Sequence, residues 1–360
     1  MTTGSQSRPP ILITGATGFL GRPTAAAFVR DGFAVRCLLR GSSDEQPLRD
    51  AVAAVSGGAS GGASGGASDD ASDDAERLAI SRVDFRNSAA LTEAMRGGKT
   101  LVHLAAGLSG SASTLFASGA IATRKLLHAA ADAGIERVVL ISSLGVYEAS
   151  GLRRGDVQDE QTPVDRQAAK RDAYSYSKIV QERVAREVCR ERSLGLVVLR
   201  PGVIFGEGRP TISSRAGLSM GGWLVQMGGR QTMPYTYVAN CADAIAKAAT
   251  CDAAVGETIN ILDDALPTAS ELVKQVRRHG RRVRRLWVPG PTVPLLCGLY
   301  HWYSRRSGGQ LPPVLTSYRA KSMWKPVRYS NARAKSLLGW EPRVPMAEAI
   351  RRTVAAERAK

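Results

Sequence analysis

An α/β fold built on a doubly wound parallel sheet, with a smaller C-terminal lobe, is the architecture this sequence predicts. Three observations predict it. Apolar runs of strand length recur at 11–13, 33–39, 80–85, 101–106, 138–143 and 196–199. Stretches with apolar residues at helical spacing separate them, near 88–95, 119–133 and 173–189. A glycine-rich turn joins the first strand to an Ala-rich helical stretch. Alternation of this length places a parallel sheet between two layers of helices.

The alternation runs through residue 205, so residues 1–205 are expected to form one dinucleotide-binding domain of Rossmann type. Beyond Gly206 the pattern loosens and Pro, Gly and Trp become more frequent. A substrate-binding lobe is expected over 206–345, partly interleaved with the sheet, followed by a C-terminal helix over 346–360. Residues 51–74 carry repeats of Gly-Gly-Ala-Ser and Asp-Asp. They offer few side chains to bury and read as a flexible surface insertion.

With 44% hydrophobic and 22% charged residues the chain can bury a core, which excludes an intrinsically disordered class. Its five cysteines are scattered and never spaced Cys-x-x-Cys, which excludes a disulfide framework and a structural zinc site and fits a reducing compartment. The four histidines show no metal-ligand spacing, and no metal is expected; His103 reads as structural. The first residues lack the pattern of a secretory signal, and the apolar run 286–303 is interrupted by Pro289, Pro291 and Pro294. A cytoplasmic protein is the expectation.

The charge is +17 and uneven: residues 271–360 hold 20 Lys and Arg against 4 Asp and Glu. Such an excess reads as a solvated basic surface, as a complement to an anionic substrate, or as peripheral contact with an anionic membrane. No nucleic-acid module accompanies it, so nucleic acid is not an expected partner. The arginines between Arg277 and Arg285 read as a helix end and a strand of the lobe with alternate Arg exposed, the bilayer being the other reading. A homodimer is compatible with the sequence.

Gly15, Gly18 and Gly21 follow an apolar strand and open a helix. The first permits the tight turn, the second a close approach of backbone N–H groups to a pyrophosphate, the third close packing of helix on sheet. Gly15, Thr17, Gly18, Phe19, Leu20 and Gly21 are therefore candidate cofactor residues. The second strand ends in Arg40, followed by Ser42 and Ser43, where an acid would select NAD. An Arg there can pair with a 2′-phosphate. NADP(H) is favoured, NAD(H) being the alternative if Arg40 is only an exposed strand end. Asp84 closes the third strand and is placed near the adenine, its other reading being a turn-capping carboxylate.

Tyr174 and Lys178 stand four residues apart on one helix face. A neighbouring ammonium and a cationic nicotinamide both favour phenolate over phenol, so together they are expected to lower the Tyr174 pKa and make it a usable base. The strand 138–143 ends in hydroxyls, and strand C-termini in open α/β sheets face the ligand crevice. Ser143 can there hydrogen-bond a substrate oxygen. Gly217-Leu-Ser-Met-Gly221 matches the nucleophile elbow of α/β-hydrolases, but the polar residues before it do not supply the strand an elbow needs.

TGATGFLG (14–21), HLAA (103–106), ISSLGVY (141–147), YSYSK (174–178) and RPGVIFG (200–206), with YVANCADA, GETINILDD and SNARAKSLLGWEP further on, together resemble the extended short-chain dehydrogenase/reductases, also called NAD-dependent epimerase/dehydratases. The Pro-rich stretch after Val288, LPPVLT and the terminal LGW are most similar to the branch of 3β-hydroxysteroid dehydrogenases and bacterial relatives. The resemblance covers nearly the whole chain. It implies that Ser143, Tyr174 and Lys178 are catalytic, that Leu104, Ala105 and Ala106 border the cofactor, and that Pro201 to Val203 lie against a nicotinamide. It implies an enzyme that transfers a hydride between NAD(P) and a hydroxyl-bearing carbon of a sugar-nucleotide or sterol-like small molecule, as dehydrogenase, reductase or epimerase. One departure is Gly119, where the family often has Asn supporting the lysine. The alternative is a catalytically weak NAD(P)-binding regulatory or scaffold protein.

Overall fold

The structure, a computed structural model, describes residues 8–56, 77–105, 111–307 and 315–359. Strands β1 (Ile11–Thr14), β2 (Val35–Leu39), β3 (Leu78–Arg82), β4 (Thr100–His103), β5 (Arg137–Ile141), β6 (Gly195–Pro201) and β7 (Thr258–Ile261) form one sheet in the order β7-β6-β5-β4-β1-β2-β3. Every neighbouring pair is parallel. Both faces are covered, which is why the strands read as near-continuous aliphatic runs. Ile11 and Ile13 pack with the helices Gly21–Arg30 and Val238–Thr250 on one face. Leu12 packs on the other with Ser88–Met95, Ala122–Asp132 and Ala173–Glu191. The strand order reverses between β1 and β4, so their C-terminal ends open onto a crevice.

The residues after 206 do not stay apart from this sheet. The helix Val238–Thr250 covers it and β7 extends its edge. The rest of the lobe contains a sheet of Gly217–Met220, Trp223–Met227 and Arg284–Val288. The helix Met346–Arg358 packs through Ile350 and Val354 into a cluster with Leu272 and Val276. Ser219 sits exposed within a strand that turns at Gly221 and Gly222 into the next strand. No helix follows it, so the geometry of a hydrolase elbow is absent there. Among the described residues no helix is long and apolar enough to cross a membrane.

Three boundaries differ from the sequence reading. The third strand ends at Arg82, where its ladder with Leu39 stops, rather than at Phe85. Residues 51–56 complete a helix, Gln46–Ser56, because Leu48 and Val52 lie one turn apart and both enter the core. The expected insertion therefore begins later, and the remainder of it, 57–74, lies outside the described residues. The helix expected from Gly119 continues back to Ala112 through a π-turn at Ala117–Ile121 that contains Gly119.

The turn after β1 depends on glycine for two separate reasons. Gly15 has a φ of +77°, and a Cβ there would come within 2.8 Å of the Ala105 backbone nitrogen. A Cβ on Gly21 would stand 2.1 Å from the Gly15 carbonyl oxygen. The turn thus closes on β4 and on its own helix. Gly21→Ala is expected to lower stability by about 2 kcal/mol or more, as overpacking does, and to weaken dinucleotide binding at least tenfold. Urea unfolding and a fluorescence titration with NAD(P)H measure the two effects.

Candidate active site

A cavity of about 1010 Å³ lies over the crevice. The turn contributes Gly15, Thr17, Gly18, Phe19, Leu20 and Gly21 to its wall, and the end of β4 contributes Leu104 and Ala105. Ser143, Tyr174 and Lys178 line the opposite side, with Pro201 and Val203 beside them. Arg40 and Ser43 stand at the end next to β2. These residues come from six segments, and only the topology brings them to one space. Ala106 lies outside the described residues.

Asp84 does not line this space. It sits in the turn after β3, half exposed, where it accepts from the Arg86 backbone N–H at 2.9 Å and pairs with the Arg86 guanidinium. The strand ends three residues earlier than expected, so the turn swings the carboxylate outward and Phe85 takes the place on the wall. These contacts fit the turn-capping reading of Asp84. Arg82 instead shapes the Arg40 end, donating to the Gly41 and Ser43 carbonyls and pairing with Glu45.

Asp172 caps the helix that carries Tyr174 and Lys178, accepting from the Ser175 backbone N–H at 2.7 Å. The cap starts the helix that carries Tyr174 into the cavity lined also by Ser143, whose hydroxyl accepts from the Gly145 N–H at 3.0 Å. Arg171, buried, donates to the Tyr147 carbonyl at 3.0 Å and to the Gly145 carbonyl, and pairs with Asp165. It thereby joins the loop after β5 to the start of the Tyr174 helix.

Lys178 is buried and donates to the Ile141 carbonyl at 2.8 Å and to Gln181 Oε1 at 3.0 Å. Burial pulls its ammonium down to about 8, against the nearby Glu182 carboxylate, which raises it. Gln181 Nε2 donates to Thr123 Oγ1 at 3.0 Å. Thr123 Oγ1 lies 2.9 Å from His103 Nε2, and His103 Nδ1 lies 2.8 Å from Thr14 Oγ1. Burial, with Lys178 adding to it, pushes His103 down to about 3, so the imidazole is neutral. A neutral ring with its proton on Nδ1 satisfies the chain: Thr123 donates to Nε2 and Nδ1–H donates to Thr14. Gln181, unremarked in the sequence, thus supplies an amide oxygen to the lysine. A Cβ at Gly119 would meet nothing within 4 Å.

The Tyr174 phenol is not lowered in this structure. Burial raises it, and the opposing influences are the Ser143 hydrogen bond and the charge of Arg209. Lys178 is not among the groups that shift it. Tyr176 projects outward, 5.3 Å from the ring of Phe116. The wall on the lobe side carries Arg209, Arg215 and Arg319, with Ser213 and Ser214. Arg209 stacks over Phe19 at 4.8 Å and Arg215 donates to the Tyr329 hydroxyl at 3.3 Å. Sequence reasoning saw the basic C-terminal excess but not these three together, because they sit on separate segments more than 100 residues apart at the extremes.

The model of the NAD dependent epimerase/dehydratase family matches residues 11–261, more than half of the chain and all seven strands of the large parallel sheet. The chain belongs to that family. Among curated relatives of the chain, the cinnamoyl-CoA reductase 1 of Petunia hybrida is 27% identical over 205 residues, covering 56% of each chain. The chain thus spans about half the length of that relative. The sterol-4-alpha-carboxylate 3-dehydrogenase, decarboxylating, of Candida albicans is 25% identical, over 97% of this chain and 98% of that one. The crystal structure of UDP-glucuronic acid 4-epimerase from Bacillus cereus, in complex with UDP-glucuronic acid and NAD, superposes with a TM-score of 0.68 over 98% of this chain and 100% of that one. At 17% identity that likeness shows the shared fold.

The neutral His103 gives a pH signature. A histidine whose folded pKa lies below its unfolded value costs no stability above about 6.5 and progressively destabilises the fold as the pH falls from there toward about 3. His103→Gln is expected to be less stable at pH 7 but to lose less stability than the wild type between pH 6.5 and 4. Urea unfolding of both proteins across that range checks it.

Proposed function

We propose that this family member is an NAD(P)-dependent oxidoreductase or epimerase acting on a hydroxyl-bearing carbon, with Tyr174 as its acid–base group. The observation that carries the reading is that Ser143, Tyr174 and the buried Lys178 line the same cavity as the glycine turn. The residues present suit a dinucleotide: Gly15, Gly18 and Gly21 line the cavity at the N-terminus of the helix Gly21–Arg30, where backbone N–H groups can approach a pyrophosphate. Bound there, the nicotinamide supplies the hydride acceptor or donor. Tyr174 takes the proton from the substrate hydroxyl, or returns it to the carbonyl oxygen. Ser143 orients that oxygen. Lys178, held by Ile141 and Gln181, keeps positive charge next to the developing phenolate.

The substrate reading is an anion of sugar-nucleotide or sterol-like type. Arg209, Arg215 and Arg319 on the lobe wall suit a carboxylate or phosphate, and guanidinium groups bind both in paired hydrogen bonds. The names of the three relatives point the same way: a sterol carboxylate, a coenzyme A thioester and a UDP-sugar acid are all anionic. Whether hydride is returned to the substrate, as in an epimerase, or leaves on the cofactor is decided by assay.

Tyr174→Phe is expected to lower turnover at least about 100-fold, the contribution of a general acid–base group, while NAD(P)H affinity stays within about threefold. Assays of nucleotide sugars and sterol carboxylates with each cofactor, paired with cofactor titrations, read both. Cofactor binding with no turnover in the wild type on any of them would favour a regulatory binding protein instead.

Arg40 supports a preference for NADP(H), because only that cofactor places a phosphate at the end of β2, where a charge-assisted bond contributes about 1.5–3 kcal/mol. Arg40→Asp is expected to weaken NADPH at least tenfold and to leave NADH unchanged or tighter. Titration of both cofactors against both proteins measures the ratio; an unchanged ratio removes Arg40 as the selector.

A further inference from the structure

The helix Val293–Arg306 is apolar on the wrong side. Val293, Cys297 and Ser304 face inward, Val293 and Cys297 packing with Met227, Ala320 and Trp324. The opposite side, which should be polar on a water-facing helix, carries Leu295, Leu296, Leu299, Trp302 and Tyr303. All five are exposed, Leu295 to 74% and Leu299 to 60%. Their spacing puts them in one stripe along the helix.

The stripe continues onto the neighbouring sheet. In the strands Gly217–Met220, Trp223–Met227 and Arg284–Val288, paired residues share a face. One face presents the rows Leu218–Val225–Leu286 and Met220–Trp223–Arg284. The helix covers its Met227 and Val288 end. Met220, Trp223 and Leu286 remain exposed beyond the helix, Met220 to 63%. Helix and strand tips thus form a continuous apolar surface carrying two tryptophans and a tyrosine.

Charge identifies what this surface meets. From residue 272 to residue 340 the chain has 15 Lys and Arg and not one Asp or Glu. Of these, Arg282, Arg284, Arg285, Arg305 and Arg306 are exposed; Arg284 stands in the row of Met220 and Trp223, and Arg305 and Arg306 stand at the C-terminal end of the helix. Arg306 lies 5.2 Å over the Trp302 ring. A second copy of this face would bring like charges together. Apolar side chains with interfacial Trp and Tyr, rimmed by Arg and free of carboxylates, instead match the headgroup layer of an anionic bilayer.

We propose that Val293–Arg306 and the adjoining strand tips dock the protein peripherally on an anionic membrane. The docked helix packs on Ser317–Met323, whose Arg319, Ser322 and Met323 line the active-site cavity and whose Tyr318 donates to the buried Asp165 at 2.7 Å. The bilayer contact therefore sits one helix away from the cavity, on the side from which a lipid-dissolved substrate would arrive. Docking itself does not depend on turnover.

The full chain is tested by co-sedimentation with vesicles of phosphatidylcholine alone and of phosphatidylcholine with phosphatidylglycerol. Binding to the anionic vesicles is expected to be at least about tenfold tighter and to weaken with salt. Leu295→Ser with Leu299→Ser should reduce it about tenfold or more, and Arg305→Glu with Arg306→Glu should remove the preference for anionic lipid. Because all four side chains are exposed, the melting temperature should stay within about 2 °C. No binding to either vesicle, or binding unchanged by both double substitutions, overturns the proposal. So does a dimer in sedimentation velocity that the Leu295/Leu299 substitution dissolves while vesicles capture nothing, because the occupant is then a second copy.

Discussion

A buried ammonium has to be held, and the Lys178 site is organised around that requirement. A charge taken out of water is costly unless strong acceptors face it. Here the acceptors are the Ile141 carbonyl at the end of β5 and the amide oxygen of Gln181 one turn along the same helix. Gln181 is fixed in turn by Thr123, and Thr123 leads through His103 to Thr14, the last residue of β1. One chain of polar contacts therefore ties the strand that begins the glycine turn to the helix that presents Tyr174. Its members come from β1, β4, the helix Ala122–Asp132 and the Tyr174 helix, so the distance between a bound dinucleotide and the phenol is set by the fold and not by a loop.

A second buried cluster braces the same helix from behind. Glu182 accepts from Ser142 at 2.9 Å and from Arg200, whose guanidinium stacks on Tyr147 at 4.6 Å. Tyr147 in turn donates to Asn260 on β7 at 2.7 Å. The two hydroxyls at the end of β5 are thus divided between tasks. Ser142 binds inward to Glu182, while Ser143 lines the cavity with Tyr174. Glu182, together with Arg171 and Arg200, also shows why charged residues are tolerated deep beside the site: each is paired or bonded to backbone carbonyls.

What could be read from the sequence was what local spacing encodes. The strand–helix alternation, the glycine turn and the Tyr174–Lys178 interval depend on residues within about one turn of each other, and periodicity reports them. The parallel sheet follows from that alternation. The limits lie where tertiary contact decides. Asp84 was assigned to the cavity by counting along an apolar run, but strand pairing stops at Arg82 and the following turn faces solvent. The helix end at 51–56 was obscured by the low-complexity composition that follows it. Gln181, Arg171 and the three lobe arginines carry no motif, since their roles arise from segments distant in the chain. The apolar stripe of Val293–Arg306 was visible as composition, yet its outward orientation needed the packing of Val293 and Cys297.

The central claim is that this cavity moves a hydride between a nicotinamide and a carbon while Tyr174 handles the proton. The direct measurement uses reduced cofactor deuterated at nicotinamide C4, incubated with ketone forms of nucleotide-sugar and sterol-type acids, followed by mass spectrometry of the alcohols formed. The account predicts one deuterium on the carbinol carbon with the wild type and at least about 100-fold less labelled product with Tyr174→Phe. Labelled alcohol formed equally well by Tyr174→Phe, or alcohol formed by the wild type without deuterium, would contradict it.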